Sequence, residues 1–178
     1  MSRVITFSRT FPSYHKKKGE PTYFIQKFWK SIEVPIPCSV HADQLEQEMR
    51  TLLFEEKLGL KLLPKHHTIR QGNRWKVGDK FSPRVWSGKP YKSKMIIIAD
   101  DVEIKNVWDI EIKPAYQMLP LDYDTDIIIN HRFYHSDDEI MKRLAQNDGL
   151  SLAELLQWFQ YPKPFKGQII CWDSKVEY

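Results

Sequence analysis

The stretch Pro64-Lys65-His66-His67-Thr68-Ile69-Arg70-Gln71-Gly72-Asn73-Arg74-Trp75-Lys76-Val77-Gly78-Asp79 is where the chain changes character. From here on it breaks into short runs rich in β-branched and aromatic residues: Lys80-Phe81-Ser82, Arg84-Val85-Trp86, Met95–Ile98, Val102–Ile112 and Ile127–Ile129. Gly72, Gly78, Gly88, Pro90 and Asp100-Asp101 supply turns between them. His67-Thr68-Ile69 is the first of these strands. Extended backbone puts His66, Thr68 and Arg70 on one face and His67 and Ile69 on the other, so Ile69 is expected to point inward. The expected fold class is α+β, with a small curled mixed sheet or barrel at its centre.

Upstream, Val4-Ile5-Thr6-Phe7 alternates with period two, which predicts a strand with Ile5 and Phe7 buried. Tyr14-His15-Lys16-Lys17-Lys18-Gly19 reads as a basic loop, and Pro21 suits the first turn of a helix through Trp29. Phe24, Ile25, Phe28 and Trp29 make one apolar stripe on that helix. After Pro35 and Pro37, Asp43 to Lys57 reads as a second helix with Leu45, Met49, Leu52, Leu53 and Leu58 inward and Gly59 as its left-handed cap. Downstream, Ser136 with Glu139 and Ser151 with Glu154 have the spacing of capping boxes. They predict two helices separated at Asn147-Asp148-Gly149, after which Pro162 and Pro164 precede a closing strand, Gly167–Trp172.

A chain of 178 residues, 42% of them apolar, fits one compact domain spanning 1–178. No apolar run approaches the ~20 residues of a spanning helix, and the opening residues lack a secretory pattern, so no membrane association and a cytoplasmic location are expected. Cys38 and Cys171 have no metal-ligand spacing and read as plain thiols. The net charge of +4 conceals a polarity: residues 1–99 hold 19 Lys/Arg against 8 Asp/Glu, and residues 100–178 hold 8 against 15. Lys61–Met95 carries ten basic residues and one acid, Asp79, a balance that attracts phosphate. The competing reading is that halves of a sequence are not halves of a surface, and the acidic part cancels the field.

A hydroxyl and a guanidinium side by side, Thr68 and Arg70, suit a phosphate or a polarised carbonyl, and equally suit a solvated strand face. Lys65 joins them only from an irregular entry after Pro64. Adjacent histidines on a strand point apart, so His66-His67 predicts neither a metal site nor an acid/base pair for RNA cleavage; no metal and no cofactor are expected. Asp122, Asp124 and Asp126 read as a solvated acidic loop. Trp75 and Trp86 interleave with the basic residues, as in single-strand binding; Trp108, Trp158 and Trp172 read as core, and Trp75 suits either role.

In order along nearly the whole chain, Ile5-Thr6-Phe7, Lys65…Thr68-Ile69-Arg70, Trp75…Val77-Gly78-Asp79, Leu144-Ala145-Gln146-Asn147-Asp148-Gly149-Leu150-Ser151, Trp158-Phe159 and Gly167-Gln168-Ile169-Ile170 resemble the ASCH domain, a member of the PUA-like superfamily. The resemblance implies a small mixed β-barrel with helices packed at its rim, a helical insertion at about 34–63, and a cleft lined by the Lys-x-x-Thr-Ile-Arg segment and the segment before the last helix. Members are proposed to bind RNA or nucleotide-like ligands, and some are amidohydrolases that deacetylate N4-acetylcytidine with a Lys, a Thr and a Glu. Lys65 and Thr68 match the first two. Asp148 stands at the acid position with a side chain one carbon shorter, and Asn-Asp-Gly is also ordinary turn chemistry.

Two functions are therefore expected to compete. One is a module binding RNA or a modified nucleoside or nucleotide, with Arg70, Asn73, Arg74, Trp75 and Lys76 as contacts. The other is an amidohydrolase in which Thr68 attacks an acyl carbon, Lys65 accepts its proton and Asp148 orients the lysine or protonates the leaving nitrogen.

Overall fold

The computed structural model describes residues 2–32, 45–55, 57–113, 126–135, 138–160 and 163–178. In chain order the elements are β1 (Arg3–Phe7), α1 (Phe24–Ile32), α2 (Glu46–Leu53), β2 (His67–Gln71), β3 (Lys80–Trp86), β4 (Met95–Ile97), β5 (Val102–Glu103), β6 (Asn106–Lys113), β7 (Asp126–Ile129), β8 (Arg132–Tyr134), α3 (Glu139–Asn147), α4 (Leu152–Trp158) and β9 (Phe165–Cys171). The class is mixed α+β. The strands form two sheets, one of four strands and one of five, and among the described residues no ladder closes into a barrel.

The chain packs as two compact units, each assembled from two segments: Met1–Lys65 with Gly78–Glu103, and His66–Val77 with Ile104–Tyr178. Counted over these units, the charges are 16 basic to 11 acidic and 11 basic to 12 acidic. The steep polarity between sequence halves thus shrinks to +5 and −1. Arg70, Arg74 and Lys76 belong to the second unit and the other basic residues of Lys61–Met95 to the first.

In the first unit β1 lies parallel to β3, with Ile5 opposite Pro83 and Phe7 opposite Val85. Ile5 and Phe7 are buried, as their alternation predicts, and the stripe of Phe24, Ile25, Phe28 and Trp29 on α1 is buried too. Phe28 packs between Phe7 and Phe81, at ring distances of 5.0 and 6.4 Å, and the Trp29 indole donates to the carbonyl of Ile98 at 2.7 Å. The helix starts later than Pro21, which bridges Thr10; the Thr22 hydroxyl accepts from the Phe24 N–H at 3.3 Å. Lys80–Trp86 is one strand and not two. Pro83, which has no N–H to donate, sits where the neighbouring edge changes from β5 to β4, and its carbonyl accepts from Ile98 at 3.1 Å.

The second helix is shorter than the apolar pattern predicts. It ends at Leu53, and Leu53 and Leu58 are exposed, while Leu45 is buried and Met49 and Leu52 are half-buried. Gly59 does take the left-handed conformation. Pro35, Pro37 and Cys38 fall outside the described residues.

The second unit holds an antiparallel sheet in the order β2-β9-β6-β7-β8. β9 runs between β2 and β6, and Ile169, Ile170 and Cys171 are completely buried there. Gly167 is demanded by close approach: a Cβ on it would lie 2.1 Å from the Arg70 carbonyl oxygen. The expected strand Val102–Ile112 is broken at Ile104-Lys105, where one unit gives way to the other. β7 and β8 form a hairpin through Asn130 and His131, at φ 45° and 67°, the mirror-type two-residue turn.

The Ser151–Glu154 capping box on α4 is complete. Ser136 lies outside the described residues, and Asp138 stands at the start of α3 with its carboxylate accepting from the His135 N–H at 2.8 Å. α3 ends in a Schellman motif: Gly149 N–H bonds the Gln146 carbonyl, Leu150 N–H bonds the Ala145 carbonyl (both 2.9 Å), and Gly149 has φ 76°. That motif holds Asp148 at the bend between α3 and α4. Trp172 is buried, and Trp108 and Trp158 are half-buried.

Candidate functional site

In the second unit, β2 pairs with β9 so that Thr68 lies opposite Ile170 and Arg70 opposite Gln168. Beyond the strand, Gly72 turns the chain at φ 88°, and its N–H donates to the Lys166 carbonyl at 3.3 Å. Gln168 then clamps the loop. Its side-chain oxygen accepts from the Trp75 N–H at 3.0 Å, and its side-chain nitrogen donates to the Trp75 carbonyl at 3.3 Å. Both residues are buried, at 6% and 3% exposure.

A buried amide that satisfies both polar groups of one residue fixes the loop like an extra strand pair. Around this anchor Gln71, Asn73, Arg74 and Lys76 are exposed, and Arg70 is half-buried. The Arg74 guanidinium carbon lies 5.5 Å from the centre of the Trp75 ring. Trp75 therefore supports the loop from beneath and offers no open face to a base. Gln168 was not among the candidates. Its signal is a lone amide in the otherwise apolar run Gly167–Trp172, a pattern that a half-exposed strand residue also produces.

A second polar cluster lies in the same unit. His67 is completely buried, with Nε2 3.2 Å from the Leu144 carbonyl and Nδ1 3.6 Å from Oδ1 of Asp148. The Tyr178 ring stands edge-on to the imidazole at 5.5 Å, and Asn147 donates to its hydroxyl at 2.9 Å. Burial drives the Tyr178 phenol upward from its ordinary value; the Asn147 hydrogen bond opposes this, and the Asp148 charge adds to it. His66 engages a different carboxylate, Asp173, at 2.8 Å. The Cys171 thiol donates to the carbonyls of His66 and Asp173, both at 3.2 Å, and burial pushes its pKa up to about 12. A thiol held protonated in this way is no nucleophile.

Of the three residues expected to carry hydrolysis, Asp148 (6% exposed) approaches His67. Thr68 is 5% exposed and alternates to the face of β2 away from His67. Lys65 belongs to the first unit, where it is 1% exposed; its backbone N–H bonds the Lys27 carbonyl at 2.9 Å, and its ammonium lies 4.3 Å from the centre of the Phe24 ring. Among the described residues no group of three or more His, Cys, Asp or Glu could hold a metal ion, and no helix is long and apolar enough to cross a membrane. Asp122 and Asp124 lie outside the described residues. No family model, curated protein or solved structure matches the chain.

Proposed function

We propose that the protein binds RNA or a modified nucleotide through the Arg70–Lys76 segment, as the ASCH resemblance implies for residues 1–178 taken as one PUA-like, barrel-related domain. The observation that carries this reading is the Gln168 clamp, which fixes a loop on which Asn73, Arg74 and Lys76 are exposed, next to half-buried Arg70 at the end of β2. Arg70, Arg74 and Lys76 neutralise phosphates, and Asn73 offers a donor and an acceptor to a base edge. Preorganisation of this kind lowers the entropy cost of association.

Affinity for a short single-stranded RNA, measured by fluorescence anisotropy, is expected to fall with salt, the three cations of this segment contributing about −2 to the log–log slope, since each neutralised phosphate on a single strand contributes about −0.7. Arg74→Ala and Lys76→Ala should each flatten that slope by about 0.7. No binding at low salt, or unchanged slopes in both variants, refutes the reading.

The alternative reading is the amidohydrolase that the ASCH resemblance implies, with Thr68 as its nucleophile. Thr68 Oγ1 takes the acetyl group of N4-acetylcytidine, N4 leaves with a proton, and water then releases acetate. Release of cytidine by the wild type and its loss in Thr68→Ala is the test; no release by the wild type removes this reading.

A further inference from the structure

The exposed aromatic surface that Trp75 does not provide stands instead on the hairpin between β3 and β4, in the first unit. Tyr91 is 90% exposed, with its ring 5.3 Å from that of half-buried Trp86. Lys89-Pro90-Tyr91-Lys92 is a tight turn closed by the Lys92 N–H on the Lys89 carbonyl at 3.1 Å, and Tyr91 sits at φ 61°. Pro followed by a residue with positive φ is a type II turn, whose third position ordinarily takes glycine or asparagine. A tyrosine there pays in backbone strain and recovers little by burial.

The hairpin is otherwise well fastened. Ser87 N–H bonds the Lys94 carbonyl at 2.9 Å, Gly88 N–H bonds the Ser93 hydroxyl at 3.0 Å, and Arg9 donates to the Trp86 carbonyl at 3.1 Å. Lys89, Lys92 and Lys94 are exposed in the same hairpin, and no acidic residue occurs between Asp79 and Asp100. Strain retained at an exposed position, in a fixed loop of a single sign of charge, points to a ligand and not to folding.

We infer that Tyr91, backed by Trp86, is a stacking platform for an unpaired base of a single-stranded RNA, whose phosphates Lys89, Lys92 and Lys94 neutralise. Aromatic rings set among lysines do both tasks at once, and every base has a face to stack. The inference rests on the RNA reading above and adds a second contact to it, distinct from the Arg70–Lys76 loop.

The test is anisotropy with a short oligouridine and the full chain carrying Tyr91→Gly, which relieves the turn and so preserves the fold, or Tyr91→Phe, which keeps the ring. Tyr91→Gly is expected to weaken binding by about 5- to 100-fold with the salt slope unchanged, and Tyr91→Phe to stay within about twofold. Replacing Lys89, Lys92 and Lys94 by Gln should flatten the slope by about 0.7 each.

If the wild type binds and Tyr91→Gly binds equally well, the platform is refuted while the RNA reading stands. If the wild type does not bind, both fall. If Tyr91→Gly is weak while Arg74→Ala and Lys76→Ala bind normally, the platform stands and the loop assignment falls. Loss of binding to phosphatidylserine vesicles in Tyr91→Gly, with RNA affinity unchanged, would make the patch a membrane-surface contact and overturn the inference.

Discussion

Nε2 of His67 lies 3.2 Å from the carbonyl oxygen of Leu144, the last turn of α3, while Nδ1 of the same ring faces Oδ1 of Asp148 at 3.6 Å. A carbonyl only accepts, so the closer contact puts a proton on Nε2. Nitrogen shifts of a 15N-histidine-labelled sample should show a protonated Nε2 for His67. His67→Phe strips both partners inside the core and should cost roughly 1–3 kcal/mol in urea denaturation. A neutral Nδ1–H ring, or a His67→Phe variant as stable as the wild type, rejects this assignment.

Gln168→Leu keeps volume while orphaning the buried N–H and carbonyl of Trp75. The expected loss is about 1–3 kcal/mol for each group left dry, offset where the loop opens to water. Hydrogen exchange at the Trp75 amide should speed up markedly, and RNA affinity should drop because Arg74 and Lys76 lose their common mount. Unaltered protection of that amide contradicts the clamp.

At His131, φ 67° is strained for any residue with a Cβ, and the side chain is exposed. His131→Gly completes the Asn-Gly pair that mirror-type turns prefer. A gain of about 0.5–1 kcal/mol is expected after the added freedom of the unfolded glycine is subtracted, read as a Tm higher by about 1–4 °C. A lower Tm would mean that the histidine contributes something its exposure hides.

Alkaline pH should unfold the protein progressively. In the unfolded chain Cys171 ionises near its ordinary 9.0 and Tyr178 near 10.0, whereas burial keeps both protonated in the native state, the thiol up to about 12. The native state therefore holds more protons than the unfolded one above about pH 9, and stability falls as pH rises from there toward 12. Urea midpoints between about pH 8 and 11 should decline, more shallowly in Cys171→Ala and Tyr178→Phe. A flat profile across that range is the contrary result.

Local periodicity made α1, β1 and β9 readable, because Phe24, Ile25, Phe28 and Trp29, or Ile5 and Phe7, leave one pattern whatever surrounds them. Other elements answered to partners that a linear reading does not contain. Pro83 looks like a strand breaker until its position at the exchange between β5 and β4 is known. β8 escaped notice because Asn130-His131 lacks the glycine that announces a two-residue hairpin. Leu58 continues an apolar pattern past Leu53, where α2 stops.

The candidate site divides in the same way. The exposure of Asn73, Arg74 and Lys76 follows from composition. Burial of Trp75 and the pairing of Asp148 with His67 depend on contacts 93 and 81 residues distant along the chain, which no spacing encodes.

The insertion of β9 between β2 and β6 has a consequence for how this protein is made. Its partner β2 precedes it by about a hundred residues, with Thr68 waiting for Ile170. Until that late segment leaves the ribosome, β2 and β6 each carry an open edge with nothing between them, a tacky intermediate of the kind chaperones shield. Slow maturation and inclusion-body formation at high expression, relieved by cooling or by holdase co-expression, would be the cellular trace of that topology.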